Sequence, residues 1–575
     1  ANDPDAPITV EPMVLNPPQH NLKVRKAASL LADPNHALGS RLIDLGKPPL
    51  QAKAQSFSHV PRQIGYSRDV PELKNNADTN TRLDWKPVKG GIVGSFAIRS
   101  SGAEALRIGV RIDAIPDTAE VRFFSKEATE VEVVSGNQIT ETVQRNLDAG
   151  DPEQVGRIFW SPVISGDTAG LEIFLPSGST EAEIIISAPK VSHIFESPNQ
   201  SSSFLAPRAS ANCEIDAMCV SGGANRSVAR ITFVSGQYSY LCTGTLLNDQ
   251  AGDQIPYFLT ANHCINSQSS ASSITTYWFY NSSSCNSGAL NSGAVSQSAG
   301  AQLLYNSSST DASFLKLNTP PPAGVSFSGW TTATPGVNTS TSISVFHNPM
   351  GDMQKFSSGS ISGYSDCTPS GSGTFSCSGS TSGSSTFLQV TFSQGITEGG
   401  SSGSGIFALG GYLVGQLYGG SNSCSYPYFP DYYGRFDKTY QNGNLGLWLA
   451  SQSKQNQTIS FGSAPIITVG VAGTLSATAT SSLPVTFSTM TAGTCTVNGT
   501  TVTGVSSGLC TVAANQVGNS NYNAAPQVTQ SITVGKSTQS ISLSTPSSVA
   551  PGATASVSAT ATSGLPVTLA STTPS

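Results

Sequence analysis

The residues best suited to chemistry lie in the run 398–405, Glu-Gly-Gly-Ser-Ser-Gly-Ser-Gly. Ser402, flanked closely by glycines, can lie on a tight turn with its hydroxyl exposed and its own N–H directed inward, which provides a nucleophile and half of an oxyanion hole. Gly400 can supply the second N–H, because a residue without a Cβ adopts positive φ readily. Taken alone the run is weak evidence, since the chain holds 56 glycines and such runs are commonly loops.

A second stretch, 257–264, supplies a candidate general base. It reads Tyr-Phe-Leu-Thr-Ala-Asn-His-Cys, so an apolar strand leads directly into His263. An apolar strand that runs into Thr-Ala-x-His-Cys resembles the setting of the general base in chymotrypsin-like proteases. Between residues 209 and 450 the only other histidine is His347, so the choice of base is narrow.

Acyl transfer by a serine also needs a carboxylate that orients the base. Between the candidate base and the candidate nucleophile the aspartates are Asp311, Asp352 and Asp366. Asp311 opens the apolar strand Asp-Ala-Ser-Phe-Leu-Lys-Leu and can be buried there, although a lone aspartate at a strand start is commonly a turn residue. We expect the other two to be solvated turn residues, which favours Asp311 as the orienting carboxylate.

The composition indicates which elements position these residues. A length of 575 residues suggests roughly three or four domains. Charged residues make up only 11% of the chain, and the abundance of Gly, Ser, Thr and Pro without long helical periodicity favours an all-β fold. The net charge of −6 argues against a nucleic-acid partner, and the sequence contains no run of eighteen apolar residues that would span a membrane.

The ten cysteines form an even set and all lie beyond residue 212. In a chain poor in Lys and rich in Ser, Thr and Asn, they indicate disulfides in an oxidising compartment. No C-x-x-C motif occurs, so we expect neither a zinc site nor another cofactor. A chain that begins at Ala1 without a basic–apolar leader matches a secreted protein whose signal peptide is gone, although a shortened sequence would look the same.

Residues 1–208 differ from the remainder of the chain. They hold 21 of the 29 Lys and Arg residues, four of the six His and no Cys. We expect an irregular segment over 1–85, a compact β-rich domain over 86–196, and a linker over 197–208 whose one basic residue is Arg208. The predicted strands are 92–98, 105–112, 119–124, 131–134, 157–160, 171–175 and 183–187. The change of composition at one linker predicts a propeptide, with an ordinary N-terminal domain as the alternative.

Residues 209–450 form the candidate catalytic domain. Turn signals recur every 8–15 residues between short strands, a spacing that fits a barrel or a sandwich. The predicted strands include 231–234, 240–247, 273–280, 313–317, 342–347, 386–392 and 412–416. The apolar spacing of 445–450 predicts a short terminal helix that packs on the domain.

Residues 451–575 repeat with a period of 82. The motif that begins at Gln457 recurs from Gln539, and segment 477–486 recurs as 559–568. A period of this length predicts one small β-sandwich per repeat, over 451–535 and 536–575. The second repeat stops before the position of its first cysteine, so we expect it to be truncated.

One disulfide is suggested by the residues themselves. Cys264 directly follows His263, and Cys242 lies on the preceding predicted strand. A bridge between them would tie the base loop to its neighbour, and closing a loop of about 20 residues stabilises a fold by roughly 3 kcal/mol. Two buried free thiols are the alternative, which an oxidising compartment disfavours.

These stretches together make residues 209–450 resemble the bacterial lysyl endopeptidase family, a secreted branch of the chymotrypsin-like serine proteases. The matching segments, in order, are 213–219, 242–248, 258–264, 311–317, 347–349, 395–404, 415–420 and 433–435. The resemblance implies a double β-barrel with the site between the barrels. It implies His263 as base, Asp311 as its orienting group and Ser402 as nucleophile, with the N–H groups of Gly400 and Ser402 as the oxyanion hole. It also implies a cleaved N-terminal propeptide.

The same resemblance implies a set of disulfides. The pairs are Cys213–Cys424, Cys219–Cys285 and Cys242–Cys264, which leaves Cys367 to pair with Cys377 locally and Cys495 to pair with Cys510 in the first repeat. The trailing repeats resemble bacterial Ig-like modules and could bind a surface or a polysaccharide.

The chain also departs from the family pattern. Tyr418 stands where members with a strong lysine preference carry a His near the triad, which leaves the strength of the preference and the pH profile open. Gly405 replaces a usual Pro, and Asn262 replaces a usual Ala.

Cleavage after a basic residue requires a carboxylate in the pocket that receives the side chain, because an unpaired buried charge is strongly unfavourable. The position six residues before Ser402, which carries that acid in trypsin-like pockets, is Ile396. After Ser402 the only acidic residues in the domain are Asp431 and Asp437. Asp431 lies in Pro-Asp-Tyr-Tyr-Gly-Arg, a setting similar to that of the family's pocket aspartate, so we predict it as the specificity residue, with Glu398 as the next candidate.

The residues around this acid complete the predicted substrate site. Tyr418 lies next to Gly419 and Gly420, and these glycines leave room for an extended substrate backbone. A compact acid deep in a pocket favours Lys, with Arg as a tolerated alternative.

The sequence therefore predicts a secreted serine endopeptidase that cleaves protein and peptide substrates after basic residues. We expect a zymogen cut after Arg208, so that the mature chain starts at Ala209. Residues 209–575 hold only eight Lys and Arg residues, so such an enzyme would spare itself and destroy its propeptide. The alternatives are a catalytically degenerate barrel that serves adhesion or binding, and a Glu-specific protease, which the absence of any His after His347 disfavours.

Overall fold

The computed structural model describes residues 6–14, 42–48, 61–125, 132–196, 210–220, 223–337, 341–370, 374–450, 455–519 and 522–573. It forms two compact units, residues 1–451 and residues 452–575. Strands dominate both units, as the composition predicted. None of the helices in these ranges is both long enough and apolar enough to cross a bilayer.

Six strands in the later part of the first unit close into a ring. In ring order they are Tyr412–Gly420, Gly405–Ala408, Ser342–His347, Lys355–Pro369, Phe387–Gln394 and Asp431–Arg435. The ring closes because the last of these strands pairs with the first, which leaves no free sheet edge within it. Buried apolar side chains fill the inside, among them Val345, Leu388, Val390, Ile406 and Tyr433.

A second barrel-like group of strands precedes this ring in the chain. Its strands are Val228–Ser235, Tyr238–Leu247, Tyr257–Ala261, Thr275–Trp278, Val295–Gln297, Ala301–Ser307 and Ala312–Leu317. Its core contains Phe233, Phe258, Trp278 and Leu315, all buried. The two groups together form the chymotrypsin-like double-barrel fold that the sequence predicted.

The N-terminal strands form two sheets around a core of their own, and one of these sheets continues into the first barrel. Its strands are Leu42–Asp44, Arg62–Asp69, Lys86–Val88, Gly91–Arg99, Ala105–Ala114, Glu120–Ser125, Glu132–Ser135, Ile158–Trp160, Ile164–Ser165, Thr168–Pro176 and Ile185–Ile194. Its longest helix, Gly136–Asp148, begins with a capping box in which Ser135 and Gln138 each bond the other's backbone N–H.

The prediction that residues 1–85 are irregular is wrong for the described part of that segment. Strand Arg62–Asp69 pairs on one edge with Ile185–Ile194 and on the other with Tyr238–Leu247, so it joins the N-terminal sheet to the first barrel. Its Arg, Gln, Ser and Asp residues interrupt the alternation of apolar and polar residues that would indicate a strand. Pairing on both edges, a non-local property, therefore decides its structure.

The first described residues lie on the barrels. Thr9–Val10 pairs with Trp330–Thr331, and Met13–Val14 pairs with Ser326–Phe327. The segment that precedes the N-terminal domain in sequence thus contributes strands to the part of the fold that follows residue 300.

Short helices and one further hairpin complete the first unit. The α-helices are Asn76–Arg82, Glu153–Gly156, Gln268–Ser272, Phe436–Asn442 and Gly446–Leu449, and the 3₁₀ turns are Pro71–Leu73, Glu181–Glu183, Ala217–Cys219, Gly223–Ser227 and Pro349–Gly351. The remaining strands are Ile215–Asp216 and Phe375–Gly379, which both pair with Lys355–Pro369. Gly446–Leu449 is the terminal helix that the spacing at 445–450 predicted.

The second unit consists of small sheets. Its strands are Ile459–Phe461, Ile467–Thr468, Ala472–Thr474, Ala477–Ala479, Thr486–Thr489, Cys495–Asn498, Thr501–Gly504, Gly508–Asn515, Val528–Gly535, Ile541–Ser544 and Ser558–Ala561. Ile459 pairs with Ala479, and Ile541 pairs with Ala561. Both pairings are offset by the 82 residues of the sequence repeat, so the repeat is a structural one.

Candidate active site

Antiparallel pairing brings His263 and Asp311 together. Strand Tyr257–Ala261 runs beside Ala312–Leu317 with Ala261 opposite Ala312, so the residues just beyond each strand are neighbours. His263 Nδ1 lies 2.7 Å from Asp311 Oδ2, and the His263 N–H donates to Asp311 Oδ1 at 2.8 Å. Two bonds to one carboxylate fix the imidazole and leave Nε2 as the nitrogen available for proton transfer.

Asp311 is buried, contrary to the behaviour of an ordinary turn aspartate. Burial raises the pKa of its carboxyl, although the charge and hydrogen bonds of His263 lower it. The backbone of Asp311 has a φ of +49°, a left-handed conformation that non-glycine residues adopt rarely. Its own carbonyl accepts the N–H of Asn262 at 2.9 Å, so surrounding contacts stabilise the unusual conformation.

The strand Tyr238–Leu247 holds the nucleophile loop against the base loop. Cys242 on this strand is disulfide-bonded to Cys264, which directly follows His263. The next residue, Thr243, donates its N–H to the Ser402 carbonyl and its hydroxyl to the Gly400 carbonyl, both at 2.9 Å. Ser402 Oγ and His263 Nε2 are both buried, and neither makes a hydrogen bond within the described residues.

Gly400 adopts the positive φ that the sequence predicted, +102°. A Cβ at this position would lie 2.7 Å from Leu241 Cδ2 and 2.9 Å from the Asn348 carbonyl oxygen, so a side chain would not fit. The N–H groups of Gly400 and Ser402 donate no hydrogen bond to any described residue. Two such unengaged N–H groups beside a serine hydroxyl are the arrangement that an oxyanion requires.

Asp431 lies at the start of a strand of the closed barrel and is fully buried. The Thr397 hydroxyl donates to its Oδ2, whereas Oδ1 accepts no well-formed hydrogen bond from any described residue. Burial raises the pKa of this carboxyl to about 7, against the lowering influence of the Thr397 and Asn422 side chains. A buried carboxyl with one unsatisfied oxygen is suited to receive a cationic group.

Tyr418 lies in an aromatic cluster beside the base. Its ring centroid lies 5.8 Å from that of His263, 4.4 Å from that of Phe375 and 5.2 Å from that of Phe387. Burial, and to a lesser extent the Asp311 carboxylate, raises the pKa of the Tyr418 hydroxyl to about 12. Tyr418 is therefore neutral at physiological pH and packs as an aromatic wall.

Phe375 was missed by sequence reasoning. It begins strand Phe375–Gly379, a hairpin arm that disulfide Cys367–Cys377 ties to strand Lys355–Pro369. The family resemblance left these two cysteines to pair locally, but only the three-dimensional structure shows that Phe375 contacts Tyr418.

Five disulfides are present, and they are the pairs that the family resemblance implied. They are Cys213–Cys424, Cys219–Cys285, Cys242–Cys264, Cys367–Cys377 and Cys495–Cys510. No cysteine is free. Disulfides at all ten positions fit a protein of an oxidising compartment.

The segment that follows the expected processing site is bound by acidic residues. Asp352 accepts both the N–H and the hydroxyl of Ser210, the latter at 2.8 Å, and Glu398 accepts the Ala211 N–H at 2.9 Å. The prediction that Asp352 is a solvated turn residue is therefore wrong, because it is buried. Asp366 was likewise predicted as a turn residue but lies within a strand and accepts the Thr386 N–H.

Arg208 lies outside the described residues, and Glu398, the alternative specificity acid, faces Ala211. Gly419 and Gly420 lie on strand Tyr412–Gly420, in which Gly420 pairs directly with Asp431. His263, Asp311, Ser402 and Gly400 lie together as described above, and Asp431 is tied to the nucleophile loop through Thr397.

Two family models and a curated relative match the chain. The chain matches the model of the lysyl endopeptidase N-terminal domain over residues 41–195 and that of the lysyl endopeptidase C-terminal domain over residues 208–434. A curated relative, the lysyl endopeptidase of Pseudomonas aeruginosa, is 30% identical over 440 residues, which cover 71% of this chain and 88% of the relative.

Solved structures with similarity to the chain include two proteases. One is the MamO protease domain from Magnetospirillum magneticum, 13% identical, with 38% of this chain and 97% of that chain covered and a TM-score of 0.26. The other is an HtrA-type protease with a tripeptide. It is 17% identical, with 43% of this chain and 67% of that chain covered and a TM-score of 0.27. From its domain matches and its curated relative, the chain belongs to the lysyl endopeptidase family of serine proteases.

Proposed function

We propose that the protein is a secreted endopeptidase that hydrolyses peptide bonds after lysine, with arginine as the weaker substrate, and that it is made as a zymogen. The observation that carries the specificity is the buried Asp431 carboxyl, whose Oδ1 accepts no well-formed hydrogen bond from a described residue. A lysine ammonium would satisfy this oxygen and remove an otherwise costly buried group. A compact acid of this kind pairs readily with the point charge of an ammonium.

In the proposed reaction, Ser402 Oγ attacks the carbonyl carbon of the substrate while its proton moves to His263 Nε2. Asp311 holds the opposite ring nitrogen at 2.7 Å, so the imidazolium that forms is stabilised in place. The N–H groups of Gly400 and Ser402 donate to the oxygen that becomes negative. His263 then returns the proton to the departing amine, and a water molecule repeats the sequence on the acyl-enzyme to release the acid and restore Ser402.

The zymogen proposal rests on the N-terminal sheet. Strand Arg62–Asp69 pairs with Tyr238–Leu247 opposite residues 238–241, directly before Cys242 of the base-loop disulfide. Arg62 is buried and reaches Met350 Sδ at 3.2 Å, and the Met350 N–H donates to the Gly399 carbonyl. The N-terminal residues therefore contact the loops that support the oxyanion turn, which supports a role for them in controlling activity until they are removed.

Labelling with a serine-directed fluorophosphonate, followed by mapping of the products of self-cleavage, tests this function. The proposal predicts a single label on Ser402 in the processed chain and new C-termini that are predominantly Lys. An unlabelled processed chain would instead support a binding protein built on a protease-like barrel, and C-terminal Glu would support a Glu-specific protease.

A further inference from the structure

His347 is a fully buried histidine outside the proposed Ser–His–Asp set. It ends strand Ser342–His347 of the closed barrel. Burial, with a smaller effect of the Lys355 charge, lowers the pKa of His347 to about 3. Its imidazole is therefore neutral, so that one ring nitrogen donates a hydrogen bond and the other accepts one.

The partners of His347 fix which nitrogen carries the proton. The Ser357 hydroxyl lies 2.7 Å from the Ile396 carbonyl oxygen, which can only accept, so this hydroxyl donates there. Ser357 Oγ lies 3.1 Å from His347 Nε2 and must accept in that contact. Nε2 is consequently the protonated nitrogen, and Nδ1 is the acceptor.

The other side of the ring continues the same direction. Ser401 Oγ lies 2.8 Å from His347 Nδ1, so the Ser401 hydroxyl donates to the ring. Ser401 Oγ also accepts the Glu398 N–H at 3.2 Å. The hydrogen bonds thus run in one direction from Glu398 through Ser401, His347 and Ser357 to Ile396, with every group used once.

This chain of hydrogen bonds holds both ends of segment 396–401. The segment includes Thr397, which bonds Asp431, and it leads directly into Ser402. It also includes Gly400, whose N–H donates to no residue in the described part of the chain. The Ser401 N–H also donates to the Glu398 carbonyl at 3.0 Å, which closes the turn. We propose that His347 is a positioning residue that, through Ser401 and Ser357, fixes the oxyanion turn in the geometry that the transition state needs. This inference rests on the proposed function of Ser402.

A neighbouring acid, Glu214, does not interrupt this series of hydrogen bonds. Glu214 Oε2 lies 3.7 Å from His347 Nε2, beyond hydrogen-bond distance. Burial and the Glu398 charge raise the pKa of Glu214 well above its ordinary value. The closer contact of Nε2 is Ser357 Oγ at 3.1 Å, so the Nε2 proton is donated there. Disulfide Cys213–Cys424 holds the backbone next to this acid.

Replacement of Ser401 and of His347 tests the inference. Ser401→Ala removes the acceptor of the Glu398 N–H with minimal change of volume, and His347→Ala removes the centre of the chain. His347→Gln is the conservative variant, because its amide can still accept from one side and donate to the other. Ser404→Ala is the matched control, since Ser404 Oγ is equally buried and makes no hydrogen bond within the described residues.

Each variant is expressed as the full chain and processed by the unmodified protein before assay. Because small misplacement of catalytic groups costs up to about 10²-fold, we expect Ser401→Ala and His347→Ala to lower kcat by roughly 10- to 10²-fold with KM nearly unchanged. Affinity for a peptidyl boronate with a lysine side chain should fall by a similar factor, whereas inhibition by hexylamine, a probe of the acidic pocket alone, should not change. His347→Gln should recover part of kcat, and Ser404→Ala should match the unmodified protein.

Retention of full kcat in both Ser401→Ala and His347→Ala would overturn the inference, as would losses confined to thermal stability. Unchanged hexylamine inhibition shows that a variant is folded, and Ser401→Ala covers the case in which His347→Ala does not fold. Fluorophosphonate labelling of the unmodified protein separates the two proposals. Absence of that label removes the proposed function itself, whereas a labelled protein with fully active variants removes only the role of His347.

Discussion

A Cβ on Gly420 would overlap Oδ1 of Asp431, so the carboxyl group occupies the space that a side chain would take. The two residues are direct partners across strands Tyr412–Gly420 and Asp431–Arg435. Because Gly420 has no side chain, the unsatisfied oxygen of Asp431 can lie directly against the neighbouring strand. This relationship links the acid that we assign to specificity with the strand that carries Tyr418.

Gly420→Ala should therefore damage the use of lysine substrates while it leaves the Ser402 chemistry intact. The added methyl group would displace the Asp431 carboxyl, and loss of a buried charge partner corresponds to roughly 10²-fold or more in kcat/KM. Steady-state kinetics on peptides with Lys or Leu before the scissile bond measures the effect. Gly379→Ala is the control, because a Cβ there meets no atom within 4 Å; equal lysine activity in both variants would contradict the assignment.

Ser402→Ala should abolish peptidase activity, with a loss on the order of 10⁶ in kcat. Ser404→Ala should leave activity unchanged, because its hydroxyl makes no hydrogen bond within the described residues. Progress curves with a lysyl peptide amide, together with fluorophosphonate labelling, measure both variants. Loss of activity in Ser404→Ala, together with nearly full activity in Ser402→Ala, would place the nucleophile two residues further along the run.

Acidification should reduce the preference for lysine. Burial raises the pKa of Asp431 to about 7, so its ionised fraction falls from about 0.9 at pH 8 to about 0.1 at pH 6. Since only the ionised form attracts an ammonium, the ratio of kcat/KM for Lys over Leu substrates should fall about tenfold over that range. Any effect of pH on the bond-breaking step is common to both substrates and cancels in the ratio. A ratio that stays constant from pH 8 to pH 6 would show that Asp431 does not bind the lysine side chain.

The sequence predicted the local chemistry of this site because short motifs encode it. Two motifs, the glycines around Ser402 and the strand that leads into His263, are each a continuous stretch of sequence. Their local structures follow from backbone requirements. Asp311 could be selected because few aspartates stand between those motifs. The strands of the barrels were also visible, since alternation and turn residues are local signals.

Other features depend on partners that are distant in the chain. Strand Arg62–Asp69 is defined by pairing on both edges, which its own polar sequence does not reveal. Phe375 reaches Tyr418 only through the hairpin that carries it. Asp352 was predicted to be solvated because its surroundings contain turn residues, but Ser210, about 140 residues away, covers it.

Maturation should produce a chain that begins at Ala209. Ser210 and Ala211 are already bound by Asp352 and Glu398, so the segment that follows the cleaved bond would remain in place. N-terminal sequencing of the processed protein measures the site, and Arg208→Gln should prevent cleavage at that bond. A mature N-terminus upstream of Phe195 or well beyond Cys213 would rule out this site.

The comparison of Asp431→Asn with the unmodified protein tests the central claim most directly. The measurement is kcat/KM at pH 8, where Asp431 is mostly ionised. The substrates are otherwise identical peptides with Lys, Arg, Glu or Leu before the scissile bond. Removal of one partner of a buried charge pair costs roughly 3–5 kcal/mol, so the variant should lose about 10²–10³-fold or more on Lys and little on Leu. An undiminished preference for Lys in Asp431→Asn would contradict the account and would place the specificity acid elsewhere, with Glu398 as the next residue to replace.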